Sequence, residues 1–347
     1  MEQGLPSLLR APQRSSQMHP KLALFEEGAS AAALPVVDHY CGVEARMKKS
    51  LKLQAEMGPL FDITLDCEDG APIGGEAEHV QLVLAMLHSA DNRHGRVGAR
   101  VHPFGHPAFE ADVDELVAKG GESLAFLMLP KPESLADVAA GCDFIDAALQ
   151  RHDIRKRLPI HTLIETHGAL REVFSIAAHP RIESLSFGLM DFVSAHRGAI
   201  PGSAMGVQGQ FSHPLVVRAK LEIAAAAHAF GKTPSHCVVT EFKDTAALQA
   251  AARRAADEFG YTRMWSIHPG QIEPILAAFA PDAAEVDLAA DIIAAAQDAH
   301  WAPIRHRDTL HDRASYRYYW QLLERAKASG MALPSAARAD WLPGQSS

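Results

Sequence analysis

The residues with most to offer chemically are acidic, and they stand in short clusters just past apolar runs. Asp66, Glu68 and Asp69 share the segment Asp66-Cys67-Glu68-Asp69-Gly70, and Arg100, Lys131, Glu165 and Asp191 follow, each at the end of its own run. Glu165 and Asp191 offer hard oxygen donors with no cysteine close by. Such a pair suits Mg²⁺, which takes one or two carboxylates and keeps positions open for water and substrate oxygens. The alternative for both is a salt bridge to a basic neighbour such as Arg171 or Arg197. Arg100 is permanently charged and forked, so it can hold a carboxylate or stabilise an enolate oxygen. Asp66, Glu68 and Asp69 cannot all be metal ligands as well. Some of them are expected to orient Arg100 and the metal-bound waters. Glu68 and Asp69 join Arg100 as candidates for the chemical step, and Asp66 and Lys131 join it for gripping substrate. Lys131 is expected to be held by a neighbouring carboxylate and not to form a Schiff base.

These positions gain meaning from the elements that would carry them. Eight short apolar runs read as strands: Leu34–Val37, Leu60–Cys67, Val97–His102, Leu124–Leu129, Pro159–Ile164, Ser184–Phe187, His236–Val239 and Met264–Ile267. Segments with helical spacing lie between most of them, such as Val43–Met57, Glu76–Ser89, Ser134–Gln150, Gly168–His179, Pro214–Phe230 and Asp244–Phe259. Strand–helix alternation over this length predicts an α/β fold, a (β/α)₈ TIM barrel, in which functional residues gather at the C-terminal strand ends. The charged residues above fall at those ends. An open doubly wound sheet is the other architecture, but no G-x-G-x-x-G follows the first strand. Residues 1–30 read as an N-terminal arm, 31–281 as the barrel, and 282–347 as a C-terminal helical extension and tail. The extension is expected to hold helices over Asp282–His300 and Ser315–Ala328, a polar connector over Pro303–Leu310, and a loose tail from Leu333. The aromatics Tyr316, Tyr318, Tyr319 and Trp320 are expected to pack or form an interface.

Composition narrows the partners. The 347 residues are 48% hydrophobic and 22% charged, which excludes a collagen, a coiled-coil rod and a disordered chain. With 33 Lys+Arg against 42 Asp+Glu the net charge is -9, which disfavours nucleic acid or an anionic membrane as the main partner. The expected partner is a small molecule. Four scattered cysteines without a C-x-x-C pair, no apolar leader and no spanning run point to a reduced, cytoplasmic protein. The 19 histidines form no H-E-x-x-H, and no G-x-S-x-G elbow exists.

The ordered motifs resemble one family. Asp66-Cys67-Glu68-Asp69-Gly70-Ala71 resembles L-D-L-E-D-A of the HpcH/HpaI aldolase/citrate lyase superfamily, nearest its citrate lyase β-subunit and malyl-CoA lyase group. Leu129-Pro130-Lys131-Pro132-Glu133-Ser134 resembles L-P-K-V-E-S, and Ile164-Glu165-Thr166-His167-Gly168 resembles I-E-T-x-x-G. Phe187-Gly188-Leu189-Met190-Asp191-Phe192 resembles F-G-x-x-D, and Ser266-Ile267-His268-Pro269-Gly270-Gln271 resembles A-I-H-P-x-Q. The resemblance implies a Mg²⁺-dependent barrel that makes or breaks a carbon–carbon bond beside a carboxylic thioester, assembled as a homotrimer or homohexamer. It places the metal carboxylates at Glu165 and Asp191 and the enolate-stabilising arginine at Arg100. It also places at Asp312 an aspartate that acts on substrate, often from a neighbouring subunit. The competing reading is that Asp312 caps the last helix.

Two stretches depart from the pattern. The family opens with R-S-x-L-F-V-P-G, where this chain has Leu34 to Gly42 and no arginine. Arg46, Lys48 and Lys49 follow on the first helix and are expected to replace it in part for the nucleotide part of coenzyme A; the competing reading is an ordinary solvated helix face. Before Asp312 stands Arg307-Asp308-Thr309-Leu310-His311 in place of G-x-M-I. The function expected is cleavage of a malyl-, citramalyl- or citryl-type 3-hydroxyacyl thioester. Two alternatives stay open: a metal aldolase acting on free hydroxy-oxo diacids, and a non-catalytic subunit or dicarboxylate-binding barrel. Asp69 stands where such aldolases carry a histidine base, which counts against the first.

Overall fold

In this computed structural model, which describes residues 18–25, 34–338 and 340–342, eight parallel strands pair in chain order and the eighth closes on the first. They are β1 (Val37–Cys41), β2 (Phe61–Asp66), β3 (Val97–Arg100), β4 (Leu127–Leu129), β5 (Ile160–Ile164), β6 (Ile182–Phe187), β7 (Thr233–His236) and β8 (Arg263–Ser266). Helices alternate with them, among them Glu44–Met57, Glu76–Leu87, Phe109–Gly120, Leu135–Arg151, Pro214–Ala229, Thr245–Asp257 and Ile272–Phe279. The architecture is the (β/α)₈ barrel.

Side chains alternate along each strand, and this sorts them into two layers. Ile63, Leu65, Ala99, Leu127, Ile160, Leu185 and Met264 join the large core shared with the helices. Phe126, Met128, Leu163 and Trp265 form a separate apolar plug. On β5 and β8 the residues two before the plug, His161 and Arg263, are polar and buried. Towards the strand starts, Arg263 is fully buried, pairs with Asp62 at 2.7 Å and Asp38 at 3.2 Å, and donates to the Pro35 carbonyl at 2.8 Å. Removing one partner from such a buried set strands an uncompensated charge, at a cost of about 3–5 kcal/mol. Towards the strand ends the same alternation delivers Tyr40, Asp66, Arg100 and Glu165.

Two strand boundaries differ from expectation for this reason. The first strand runs through Asp38 and His39 to Cys41, not over Leu34–Val37, because Asp38 is satisfied inside by Arg263 and by the Thr64 hydroxyl at 2.6 Å. The seventh is Thr233–His236, a polar-looking stretch buried throughout, and not His236–Val239. The stretch Gly168–His179 is two short helices, His167–Arg171 and Val173–Ala178, separated at Glu172.

The chain divides into two compact units, one within residues 31–280 and 328–330, the other within 1–30, 281–327 and 331–346. The second has its own core, in which Trp320, Trp341, Tyr316, Ile293 and Leu24 are buried. Most of the expected arm, residues 1–17 and 26–30, lies outside the described residues. The tail is not loose over its described part: Trp341 is buried and donates its indole N–H to Gln297 at 3.1 Å. The expected polar connector is a hairpin of β9 (Ile304–His306) and β10 (Thr309–His311). Arg307 and Asp308 turn it with φ of 45° and 65°, as a two-residue turn between twisted strands requires.

Candidate active site

Arg100 ends β3 and Asp66 ends β2, and strand register sets them side by side. Arg100 Nε donates to Asp66 Oδ1 at 2.6 Å and Nη2 to Oδ2 at 2.9 Å, a two-pronged pair buried from solvent. Nη2 also lies 3.1 Å from Glu68 Oε2 and donates to the Tyr40 hydroxyl. Burial works against the guanidinium charge, but Asp66 and Glu68 outweigh it and hold Arg100 more firmly protonated than usual. Asp66 has few lone pairs left for substrate. Besides Arg100 it accepts from Tyr40 and from the amides of Glu68, at 3.1 Å, and Gly70. Its part in the site is to hold Arg100.

Lys131 gathers a second group. It follows Pro130 beyond β4 with φ of 50°, the left-handed region that a lysine enters only where surrounding contacts hold it. That turn aims its backbone N–H at Glu165 Oε1, 2.9 Å away. Its Nζ reaches Glu68 at 2.5 Å, Asp69 at 2.7 Å and Asp191 at 3.6 Å. Burial opposes the ammonium charge, yet the hydrogen bonds it donates to Asp69 and Glu68 prevail and push its pKa up. Burial raises and Lys131 lowers the Asp69 carboxyl, and the lysine wins.

Glu165 follows directly on β5 and is buried, while Asp191, in the first turn of helix Leu189–Ser194, has a side chain 40% exposed. Burial first, and then the Asp191 charge, push the Glu165 carboxyl up to about 8, against Arg100 and Lys131. Gly188 makes the approach possible, because a Cβ there would collide with the Glu165 carboxylate. Neither acid pairs with Arg171 or Arg197. Arg171 bonds Glu172 at 3.0 Å. Five carboxylates (Asp66, Glu68, Asp69, Glu165, Asp191) therefore face two cations, and the surplus charge falls on the Glu165–Asp191 side. That side fits a hard divalent cation, which supplies the missing positive charge to two oxygen donors and needs no protein cage. No group of three or more His, Cys, Asp or Glu side chains is arranged for a metal among the described residues.

Asp312 belongs to the second unit, where it caps helix Arg313–Ala328 by accepting the amides of Ala314 at 2.9 Å and Ser315 at 3.3 Å. Lys48 is taken by Glu44 at 2.6 Å, and Arg46 and Lys49 are exposed. In the motif ending at Gln271, the glutamine is a clasp: it accepts from Ile267 at 2.9 Å and donates to the Val239 carbonyl at 2.7 Å. Sequence reasoning missed Tyr40 and Trp265, which stack at 5.3 Å beside Arg100. Their one signal was inward parity on β1 and β8, invisible until the first strand's boundary was known.

The family model for HpcH/HpaI aldolase/citrate lyase matches residues 48–269, which takes in every one of these rim residues except Tyr40. The chain belongs to the HpcH/HpaI aldolase/citrate lyase family. Among solved structures, a citrate lyase from Burkholderia xenovorans LB400 is 53% identical, covers 92% of this chain and 98% of its own, and superposes with a TM-score of 0.80. An L-malyl-CoA/beta-methylmalyl-CoA lyase of Rhodobacter capsulatus is 27% identical over 246 residues, 68% of this chain and 77% of its own. The fold is shared with the CitE protein of Mycobacterium tuberculosis solved with magnesium, acetoacetate and coenzyme A, at 22% identity and a TM-score of 0.64, covering 85% of this chain and 99% of that one. Within the family's barrel, this chain keeps all four cysteines free and buried. No helix among the described residues is long and apolar enough to cross a membrane.

Proposed function

We propose that this family member is a Mg²⁺-dependent carbon–carbon lyase that splits a 3-hydroxyacyl-CoA of the malyl, citramalyl or citryl type into an acyl thioester and an oxo acid. One observation carries the reading: a buried, fork-held arginine stands on the same strand-end rim as a carboxylate pair in which burial, and then the Asp191 charge, raise Glu165 to about 8. The relatives' names support the substrate class, and the magnesium of the Mycobacterium tuberculosis structure supports the ion.

Glu165 and Asp191 would hold the ion, which would supply polarisation of the oxygens of the oxo-acid half. The residues of the chain do the rest. A carboxylate from the Glu68–Asp69 pair takes the hydroxyl proton, with Lys131 beside it to balance charge. As the oxygen that lost the proton forms the oxo group, the carbon–carbon bond breaks, its electron pair passes to the carbon alpha to the thioester carbonyl, and the resulting enolate oxygen lies against Arg100. Arg100 Nη1 makes no hydrogen bond to the described residues, so its N–H groups remain for that oxygen. Fixed charge aimed at a developing oxyanion is the largest single contribution expected here, about 3 kcal/mol for one good donor. Protonation of the enolate carbon completes the cleavage. Asp312 enters from a neighbouring subunit of a homotrimer or homohexamer, with its carboxylate shared between cap and substrate.

The test is a Mg²⁺-supplemented assay with malyl-, citramalyl- and citryl-CoA beside free hydroxy-oxo diacids. Cleavage of one thioester, lost in EDTA, is the expected result. Turnover of the free acids alone would replace the reading with an aldolase, and no turnover of either would leave a binding barrel.

A further inference from the structure

Arg100 needs more than Asp66 to be held still. A guanidinium gripped along one edge can still tilt about that edge, and its charge then points away from the substrate. Besides the Glu68 carboxylate, an ion-pair contact 3.1 Å from Nη2, the further point of attachment is Tyr40. Its hydroxyl accepts from Arg100 Nη2 and donates to Asp66 Oδ2, so arginine, phenol and carboxylate close a ring of hydrogen bonds. The guanidinium carbon lies 4.8 Å from the centre of the Tyr40 ring. The other face of this arrangement is anchored to the barrel interior: Tyr40 stacks on Trp265 at 5.3 Å, and the Trp265 indole N–H donates to Ser186 at 3.2 Å. Gly70 seals the third side. Its amide donates to Asp66, and a Cβ at that position would strike the Tyr40 hydroxyl.

We propose that Tyr40 is the positioning residue that fixes the plane of Arg100 and so decides that Nη1 is the edge offered to substrate. The inference rests on the lyase reading for its catalytic consequence but not for its geometry. Tyr40→Phe keeps the ring on Trp265 and under the guanidinium while deleting the hydroxyl. A charge-assisted hydrogen bond lost at the transition state predicts a kcat roughly tenfold lower, with KM for the thioester within about twofold. In an Arg100→Lys background the same change should cost less than about twofold, since a residue acting through another couples to it.

Geometry is tested without activity. In nitrogen-15 NMR, the Arg100 Nε–H of the parent should exchange with water at least about tenfold more slowly than in Tyr40→Phe, because the hydroxyl pins the fork that shields it. Unchanged exchange overturns the proposal whatever the kinetics show. An equal tenfold loss in both arginine and lysine backgrounds overturns it too, since the hydroxyl would then act independently of Arg100. If the parent cleaves no thioester, the lyase reading falls, and the exchange comparison alone still decides whether Tyr40 positions Arg100.

Discussion

Arg100→Lys is the substitution that separates charge from geometry. Lysine keeps one positive charge but presents a single nitrogen on a flexible stem, where arginine presents a planar fork. In the structure that fork makes two bonds to Asp66, at 2.6 and 2.9 Å, one to Tyr40, and a contact to Glu68 at 3.1 Å. An ammonium reaching Asp66 leaves at least two of these partners unserved in a site where Asp66 is fully buried. A hydrogen bond to a charged group contributes about 1.5–3 kcal/mol, so stability should fall by roughly 2–4 kcal/mol, measured by urea unfolding. The catalytic loss is separate, because Nη1 disappears with the fork. One missing oxyanion donor costs about 3 kcal/mol, which is about 10²-fold in kcat. Steady-state kinetics in saturating Mg²⁺, on protein shown to be folded by near-ultraviolet circular dichroism, gives the number. A lysine variant with near-parental kcat would remove Arg100 from the mechanism, and the enolate assignment with it.

Other perturbations probe single features. Lys220 is buried against Phe211 at 3.8 Å with the Gln210 amide oxygen at 2.9 Å, and burial lowers its pKa to about 8. A folded value below the unfolded 10.5 means the unfolded chain binds more protons between those limits, so stability rises with pH across that window. Lys220→Met should therefore stabilise by up to roughly 3 kcal/mol below pH 8, a gain that fades by pH 10.5; a pH-independent difference in urea unfolding would refute this. Gly188→Ala should push the Glu165 carboxylate aside and weaken Mg²⁺ binding at least about tenfold while Tm falls only a few degrees; unchanged affinity in calorimetry would show that Glu165 has room to spare. Asp312→Ala should cost about 1 kcal/mol through the lost cap, whereas Asp312→Asn keeps the cap. If Asp312 also acts on substrate, the Asn variant loses activity at parental stability, and full activity there would leave Asp312 as a cap alone.

Much of the barrel could be read from the chain because its outer face is apolar and its period is plain. Runs such as Phe61–Asp66 and Ile160–Ile164 needed only length and flanking turns to be recognised. The charged rim followed from those strands, since Asp66, Arg100 and Glu165 sit at or just past strand ends. What escaped was the polar interior. Asp38, Ser235 and Arg263 look like loop residues by composition and lie outside the expected strands, but they are buried, as is Ser184, which begins one. Asp38 is satisfied by Arg263 and Thr64, and Ser184 by a backbone carbonyl from a strand far away in sequence. Tyr40 was hidden for the same reason, because its partners Asp66 and Arg100 are joined to it only once the barrel closes. The hairpin at Arg307-Asp308 carries no glycine, so the left-handed pair that turns it left no mark in composition.

The Glu165–Asp191 pair is the proposed seat of the metal. Isothermal calorimetry of Mg²⁺ binding to the parent, Glu165→Gln and Asp191→Asn at pH 8.5 (a value chosen so that the Glu165 carboxyl, at about 8, is largely ionised) measures it without any substrate. Loss of a carboxylate removes a ligand and its charge together, so each variant should bind at least about tenfold more weakly while unfolding at a similar temperature. Parental Mg²⁺ affinity in both variants would contradict the central claim.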